Sequence, residues 1–174
     1  MDHAAASPAA ANDGSTASWA DRPVGELVEF ILGHFHEPLR RDLPLLIASA
    51  RAVEAESRDD ALCPTGLGDH LDQILIAVES HLAKEEKILF PLILAGRGGN
   101  AFMPVKVMMA EHEDHLANLA RTRALTHDFA LPENARPNWR QLYRDLEKLE
   151  ADLRQHIDLE NNVLFTRVMG SAGL

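Results

Sequence analysis

The chain has 174 residues, a formal net charge of -10 and 46% apolar residues, which suits one globular domain with a hydrophobic core. The acidic balance, without a basic tract, argues against nucleic acid or an anionic membrane as a partner, and the single cysteine, Cys63, excludes an internal disulfide and a cysteine-based zinc site. No apolar run approaches the roughly 20 residues that cross a bilayer, and the N-terminus lacks the pattern of a secretory signal, so a cytoplasmic location is expected.

The N-terminal residues 1–20 are rich in Ala, Ser, Pro and Asp and show no periodicity, which predicts a disordered tail. The first helix is predicted to start near Pro23, because proline is well suited to the first turn of a helix. Its apolar residues recur at helical spacing, but Pro38 and Pro44 interrupt the pattern. A kink or a break is therefore expected at these two prolines.

Three further helices are predicted from the apolar spacing, and Pro- or Gly-containing loops separate them. The predicted helices span residues 66–94, 104–126 and 137–169, with a Gly-rich turn at 96–100. Aromatic residues are only 5% of the chain and no strand pattern of useful length is found, which favours helix over sheet. We therefore predict an all-α protein whose residues 21–174 form an antiparallel up-down four-helix bundle.

One motif occurs twice. His81 and Glu85 are four residues apart, as are His156 and Glu160, and an apolar-Leu-Phe run follows each pair. Residues four apart lie on one face of an α-helix, so each segment presents an imidazole beside a carboxylate. An exposed face with ion-pairing charges would show the same spacing. The Leu-Phe runs argue against that alternative, because they indicate that both helix ends are buried.

Two further histidines, His36 and His112, lie at the same predicted height as the repeated motif. At about 1.5 Å of rise per residue, the side chains from all four helices fall roughly 12–20 Å from one end of the bundle. Four imidazoles and two carboxylates in one layer suit two metal ions, each held by two His and bridged by both Glu. This mixture of nitrogen and oxygen ligands favours non-haem iron, with manganese and zinc as alternatives.

At these motifs the sequence resembles the hemerythrin-like di-iron domain of the RIC family, whose members repair iron–sulfur centres after nitrosative or oxidative stress. The resemblance covers residues 22–168. The segments that carry it are Leu43-Pro44 after His36, Cys63-Pro-Thr-Gly66-Leu67, His81-x-x-Lys-Glu85-Glu86-x-Ile-Leu-Phe-Pro91, Glu111-His112-Glu113, Trp139-Arg-x-Leu-Tyr143 and His156-Ile-x-Leu-Glu160-Asn161-x-Val-Leu-Phe165.

The resemblance implies a set of ligands, a cofactor and a function. The implied metal ligands are His36, His81, Glu85, His112, His156 and Glu160. The implied cofactor is two iron ions with carboxylate bridges and an oxo bridge. The implied function is iron donation to damaged iron–sulfur clusters, or binding and reduction of nitric oxide. The expected partners are a diatomic ligand, nitric oxide or oxygen, and iron–sulfur proteins as iron acceptors.

The sequence departs from the family at three places. A short N-terminal tail stands where members often have a small Cys-containing domain, and Ser57 stands where many have a histidine. Ser57 is about 21 residues from His36, roughly 31 Å along a helix, so we expect no effect on the metal layer. Leu116 stands where oxygen carriers have a fifth histidine, and His115 beside it is expected at the surface or outside the ligand set, with a ligand role as the alternative.

Two other functions are compatible with the sequence. An oxygen-binding hemerythrin for storage or sensing would use the same ligands, although Leu116 counts against it. A metal-free bundle that binds a partner protein would need none of them. Glu86 is expected on a solvated face, with a contact to a ligand histidine as the alternative. Glu111 is expected at the surface or in the core, with a position next to the ligands or in a channel as the alternative. We expect His34, His70 and His127 to lie away from the site.

Overall fold

The computed structural model describes residues 16–171, and every regular element in this range is helical. The elements are α1 (Thr16–Trp19), α2 (Val24–Ile31), π1 (Leu32–His36), α3 (Glu37–Glu56), α4 (Leu67–Lys84), π2 (Glu85–Leu89), α5 (Phe90–Leu94), α6 (Gly98–Leu125), α7 (Pro137–Leu159), π3 (Glu160–Leu164) and α8 (Phe165–Ser171). Each π-helical turn joins two α-helices without a break. The prediction of an all-α protein is therefore confirmed for this part of the chain.

The first long helix passes through both of its prolines. Pro38 lies in the first turn of α3, and Pro44 lies inside α3, which continues to Glu56. The predicted break is therefore absent, and the irregularity is the wider turn π1, which ends two residues before Pro38. Proline has no N–H to donate to the preceding turn, and a locally widened turn accommodates the lost hydrogen bond.

The third long helix, α6, begins at Gly98, so the predicted start near Pro104 is wrong. Only Gly96 and Arg97 remain from the predicted turn, and Gly96 has the positive φ of 69° that commonly ends a helix. Glycines are poor helix formers, but Ala101 in the first turns of α6 is completely buried. Burial of this apolar face outweighs the low helical propensity of the glycines.

The N-terminal end of the described chain is also ordered. Trp19 in α1 is 1% exposed, and its ring centroid lies 4.8 Å from that of Phe30. The guanidinium of Arg167 donates hydrogen bonds to the backbone carbonyl oxygens of Trp19 and Ala20. The predicted disordered tail extended to residue 20, whereas the structure has a helical turn from Thr16; residues 1–15 lie outside the described range.

The core consists of two apolar clusters, one on each side of a polar layer. The first cluster is built mainly from α3, α4 and α7, and the second from α1, α2, α5, α6 and α8 with residues of the π-turns. Along the chain the buried residues change from one cluster to the other between residues 35 and 39, 82 and 89, 108 and 119, and 157 and 159. The predicted ligands lie at these junctions.

The helices that carry the ligands are direct neighbours. α3 packs against α4 and α7, α4 packs against α6, and α6 packs against α8. Within residues 16–171, none of the helices combines the length and apolarity that a membrane span requires. The fold therefore brings ligands from different helices into one buried layer between the two clusters.

Candidate metal centre

All six predicted ligands meet in the polar layer. They come from different elements: His36 from π1, His81 from α4, Glu85 from π2, His112 from α6, His156 from α7 and Glu160 from π3. Each of them is at most 2% exposed. Burial of four imidazoles and two carboxylates in one place costs free energy unless they compensate one another or hold a cation.

Three of the six side chains belong to π-helical turns. His36 is the last residue of π1, while Glu85 and Glu160 are the first residues of π2 and π3. In π2 and π3 the backbone N–H of the following phenylalanine donates to the carbonyl oxygen of the glutamate, five residues earlier. Isolated π-turns are uncommon and are found frequently at functional sites. A regular α-helix was expected at these three places, so the π-turns were not predicted.

The four imidazoles form two pairs. His36 Nε2 lies 3.3 Å from His156 Nε2, and His112 Nε2 lies 3.1 Å from His81 Nε2. We call His36 with His156 the first pair, and His81 with His112 the second pair. Two nitrogens that each bind one ion at about 2.1 Å, at roughly a right angle, are about 3.0 Å apart. Both separations therefore suit two ligands of one metal ion.

The two carboxylates span both pairs. Glu85 Oε2 lies 3.4 Å from His36 Nε2, and Glu85 Oε1 lies 3.4 Å from His81 Nε2. Glu160 Oε1 lies 3.1 Å from His156 Nε2, and Glu160 Oε2 lies 3.2 Å from His112 Nε2. Each glutamate thus places one oxygen beside each pair. Two groups of four buried ligand atoms result, each within 4.8 Å, and the groups share both glutamates.

Outer hydrogen bonds orient three of the rings. In each, Nδ1 is 2.9 Å from an acceptor oxygen; the bonds join His36 to Glu86, His81 to Glu111 and His112 to Asn161. A neutral imidazole that donates from Nδ1 keeps its lone pair on Nε2. The free lone pairs therefore face the positions between the glutamates, and such outer acceptors also raise the basicity of a metal-bound histidine.

Two cations hold the outer carboxylates in turn. Arg40 donates to both oxygens of Glu86, at 2.7 and 3.1 Å, and Lys84 donates to Glu111. A solvated face was expected for Glu86, and the surface or the core for Glu111. Their side chains are each 26% exposed, so they connect the buried imidazoles to the surface. Asn161 was missed as an outer partner, although it directly follows Glu160 in the repeated motif.

Phenylalanine rings pack on the imidazoles. Phe90 is stacked on His36 with 5.7 Å between centroids, and Phe165 is stacked on His112 with 5.8 Å. These are the phenylalanines of the two apolar-Leu-Phe runs, so the repeated motif supplies both the ligands and the apolar cover of their neighbours. Phe35 is stacked on His156 at 5.1 Å. The rings exclude water from the centre.

The buried ionisable groups of the centre favour the binding of a cation. Burial lowers the pKa of His36 to about 4 and that of His81 to about 3, so both imidazoles are neutral. Burial, together with the nearby Glu160, raises the pKa of Glu85 well above its ordinary value. The four carboxylate oxygens have no hydrogen-bond partner within the described residues. A metal ion between each pair and the glutamates would satisfy these groups, so the donor set fits two ions.

His115 is buried beside the ligands, which agrees with the expected position outside the ligand set and not with a surface position. It is 3% exposed, and its ring meets that of His81 edge-on with 4.9 Å between centroids. Burial, followed by the nearby His112, lowers its pKa to about 4. It belongs to neither group of ligand atoms. Its spacing of three from His112 also places the two side chains on one helix face, because residues three apart are neighbours on a helix surface.

The other histidines within residues 16–171 lie away from the centre or outside its chemistry. His34 is exposed, as expected. His70 is buried, and its Nε2 pairs with the backbone carbonyl oxygen of Asn118. His127 lies in the turn after α6 with a positive φ of 52°.

Comparison with known proteins agrees with this geometry. The model of the hemerythrin HHE cation binding domain matches residues 27–168. The iron-sulfur cluster repair protein YtfE of Pectobacterium carotovorum subsp. carotovorum is 39% identical over 169 residues, which cover 97% of this chain and 74% of that protein. The YtfE protein of Dickeya chrysanthemi is 41% identical over 151 residues, which cover 87% and 68%. That of Yersinia pseudotuberculosis serotype O:1b is 39% identical over 155 residues, which cover 89% and 70%.

These matches span most of the chain, and the family model includes every residue of the polar layer. Together with the all-helical fold, they establish the family of the protein. The chain belongs to the hemerythrin HHE cation-binding domain family and, within it, to the RIC family of iron–sulfur cluster repair proteins.

Proposed function

We propose that this chain is a di-iron protein that supports the repair of iron–sulfur clusters under nitrosative or oxidative stress. The observation that carries the proposal is the position of Glu85 and Glu160, each with one oxygen beside the first pair and one beside the second. The names of the similar proteins support the repair role. Its partners are iron–sulfur proteins as iron acceptors and nitric oxide as a small ligand.

The proposed cofactor is two iron ions. His36 and His156 would hold one, His81 and His112 would hold the other, and Glu85 and Glu160 would offer one oxygen to each. Imidazole nitrogens combined with carboxylate oxygens suit non-haem iron. Bound there, the ions would supply a redox-active pair for nitric oxide, or iron for a damaged cluster.

The surrounding residues prepare the imidazoles to bind and to release metal. Release requires a ligand to take up a proton, since metal and proton compete for the same nitrogen. The outer carboxylates of Glu86 and Glu111 are partly exposed and contact His36 and His81 at Nδ1. These two histidines therefore have the shortest route to solvent protons. The stacked Phe35, Phe90 and Phe165 keep water away from the other side of the centre.

We also propose that residues 21–174 form one domain in which the long helices run antiparallel, up and down. The contacts of α3 with α4, of α4 with α6 and of α3 with α7 support this arrangement. So does the connection between α5 and α6, residues 95–97, because helices joined by short loops pack as antiparallel neighbours. In this bundle the ligands of all four long helices lie at one height.

The proposal is tested on protein made in iron-replete cells. We expect about two irons per chain, in keeping with the two ligand groups, and a Mössbauer spectrum of a coupled pair. The loaded protein should reactivate an iron–sulfur dehydratase damaged by nitric oxide, whereas a Glu160→Ala variant should not. Protein that holds two irons but restores no cluster enzyme would exclude the repair role, and protein without bound metal would exclude the cofactor.

The oxygen-binding alternative has less support. The similar proteins are named for cluster repair, and the position of the fifth histidine of oxygen carriers is Leu116. Leu116 is partly buried and packs against the first apolar cluster, so it offers no metal ligand. A reversible oxygen spectrum of the reduced protein is therefore not expected.

A further inference from the structure

His115 is a buried polar side chain that the proposed ligand set does not use. It lies on α6, one helical turn after His112, and is 3% exposed. Neither Nδ1 nor Nε2 has a hydrogen-bond partner within residues 16–171. A neutral imidazole always carries one N–H donor and one acceptor nitrogen. Buried polar groups are nearly always hydrogen-bonded, so two unsatisfied ring nitrogens require an explanation.

A narrow crevice adjoins the ring. Its polar wall is formed by four imidazoles, of which His81 and His112 are the second pair, and its other wall is apolar. The lining residues are Leu39, Val78, His81, Leu82, His112, His115, Leu153, His156 and Ile157. The crevice contains about 200 Å³ of empty space but is too narrow for a water molecule. Water therefore does not satisfy His115, and the apolar wall offers it no acceptor.

The crevice lies beside the second pair and is closed to any occupant until its lining side chains move apart. His81 contacts the ring of His115, and His112 lies one turn away on the same helix. The apolar wall excludes a large or highly charged molecule, because it cannot replace the lost hydration. With the lining side chains moved apart, a ligand of two or three heavy atoms on an ion held by the second pair would turn its far end towards His115. Phe35 and Phe90 cover the first pair, and Phe165 covers His112. The ring of the second pair that meets His115 is therefore that of His81.

We propose that His115 is a ligand-binding residue that donates a hydrogen bond to a small anion or diatomic molecule bound at the second metal position. The inference rests on the proposed function, because the occupant needs an ion held by His81 and His112. It assigns the open coordination position to one side of the centre. It also gives the unpaired imidazole a partner that is present only in the ligand-bound protein.

Azide is the probe, because it has three heavy atoms, binds ferric iron and accepts hydrogen bonds. The full chain is loaded with iron, oxidised and titrated with azide, and the visible spectrum and the infrared azide stretch are recorded. The variants are His115→Leu, which lacks a donor, His115→Gln, which keeps one, and His34→Leu as a control on an exposed histidine. His115→Met is a second donor-free variant and replaces the leucine variant if that fails to fold.

We expect every variant to hold about two irons per chain, the same content that is expected of the wild type with its two ligand groups. His115→Leu and His115→Met should weaken azide binding about tenfold, the loss of one hydrogen bond to a charged ligand, and should shift the azide stretch. His115→Gln should stay within about threefold of the wild type. His34→Leu should leave affinity and stretch unchanged.

Three results would overturn the inference while the proposed function stands. The first is equal affinity and an equal stretch in the donor-free variants. The second is a wild-type protein that holds two irons but binds no azide. The third is loss of iron in the donor-free variants, which would make His115 a metal ligand. A wild-type protein that holds no iron would instead remove the proposed function itself.

Discussion

The two imidazole pairs share both glutamates but differ in their surroundings. In the first pair His36 donates to Glu86, while the Nδ1 of His156 has no hydrogen-bond partner in the described part of the chain. In the second pair both rings have an outer acceptor, Glu111 and Asn161. Outer acceptors orient a ligand and raise its basicity. The difference therefore predicts a tighter second position and a first position that releases its ion earlier.

The largest effect is expected from removal of what the pairs share. Glu160→Ala deletes an oxygen beside each pair and leaves Glu85 as the only bridge. We expect loss of both ions, because four neutral imidazoles and one carboxylate do not balance two metal charges. Metal analysis after gel filtration measures it, with Glu147→Ala on the exposed face of α7 as the control. Retention of two ions by the Glu160 variant would contradict the bridging role.

The next effect concerns the first pair alone. Glu86→Gln replaces the charged acceptor of His36, and His156 offers no second outer bond. We expect the first position to lose about 100-fold in metal affinity. Stepwise removal by a mild chelator, followed by Mössbauer spectroscopy, would show one of the two ions released early. Glu79→Gln is the matched control, because Glu79 contacts Arg40 but no imidazole. Equal release rates in both variants would disprove the difference between the pairs.

A smaller effect is expected at the second pair. Asn161→Ala removes the acceptor of His112 but leaves the bond between His81 and Glu111. The second position should lose about tenfold in affinity. Asn162→Ala is a close control, because Asn162 is exposed and its side chain donates to Asp158 and not to an imidazole of the centre. If both variants release metal at the same rate, Asn161 has no orienting role.

The smallest difference between the two pairs is expected in how the folding stability of the metal-free chain depends on pH. The pKa of His36 is about 4 and that of His81 about 3, both below the ordinary 6.5. The unfolded chain therefore binds more protons than the folded one as pH falls from 6.5 to about 4, so stability is lost on acidification. The slope is at most about 1.4 kcal/mol per pH unit for each histidine.

This linkage should be alike in both pairs, since burial is the main cause in each. His36→Gln and His81→Gln should therefore reduce the slope to a similar extent. Urea unfolding of the metal-free variants between pH 7 and pH 4.5 measures it. A slope that neither substitution changes would show that these imidazoles do not stay neutral in the folded state.

The helices, the family and the six side chains of the centre could be predicted from the sequence alone. A spacing of four places His81 beside Glu85, and His156 beside Glu160, on one helix face whatever the rest of the chain does. A fixed rise per residue then sets the height of His36 and His112. These are local properties of an α-helix, so periodicity was enough to predict them. The predicted start of the third long helix at Pro104 was wrong, because burial of the first turns of α6 outweighs the weak helix propensity of its glycines.

Which of these side chains contact one another depends on the tertiary structure. The pairing of His36 with His156, the glutamates that span both pairs, and the acceptors of the outer nitrogens depend on how each helix is rotated against its neighbours. That rotation results from packing of the two apolar clusters and from three wider π-turns, none of which has a distinct spacing in the sequence. The burial of His115 also depends on tertiary packing. Periodicity identifies the helix face on which it lies, but that face becomes a binding surface only when another helix packs against it.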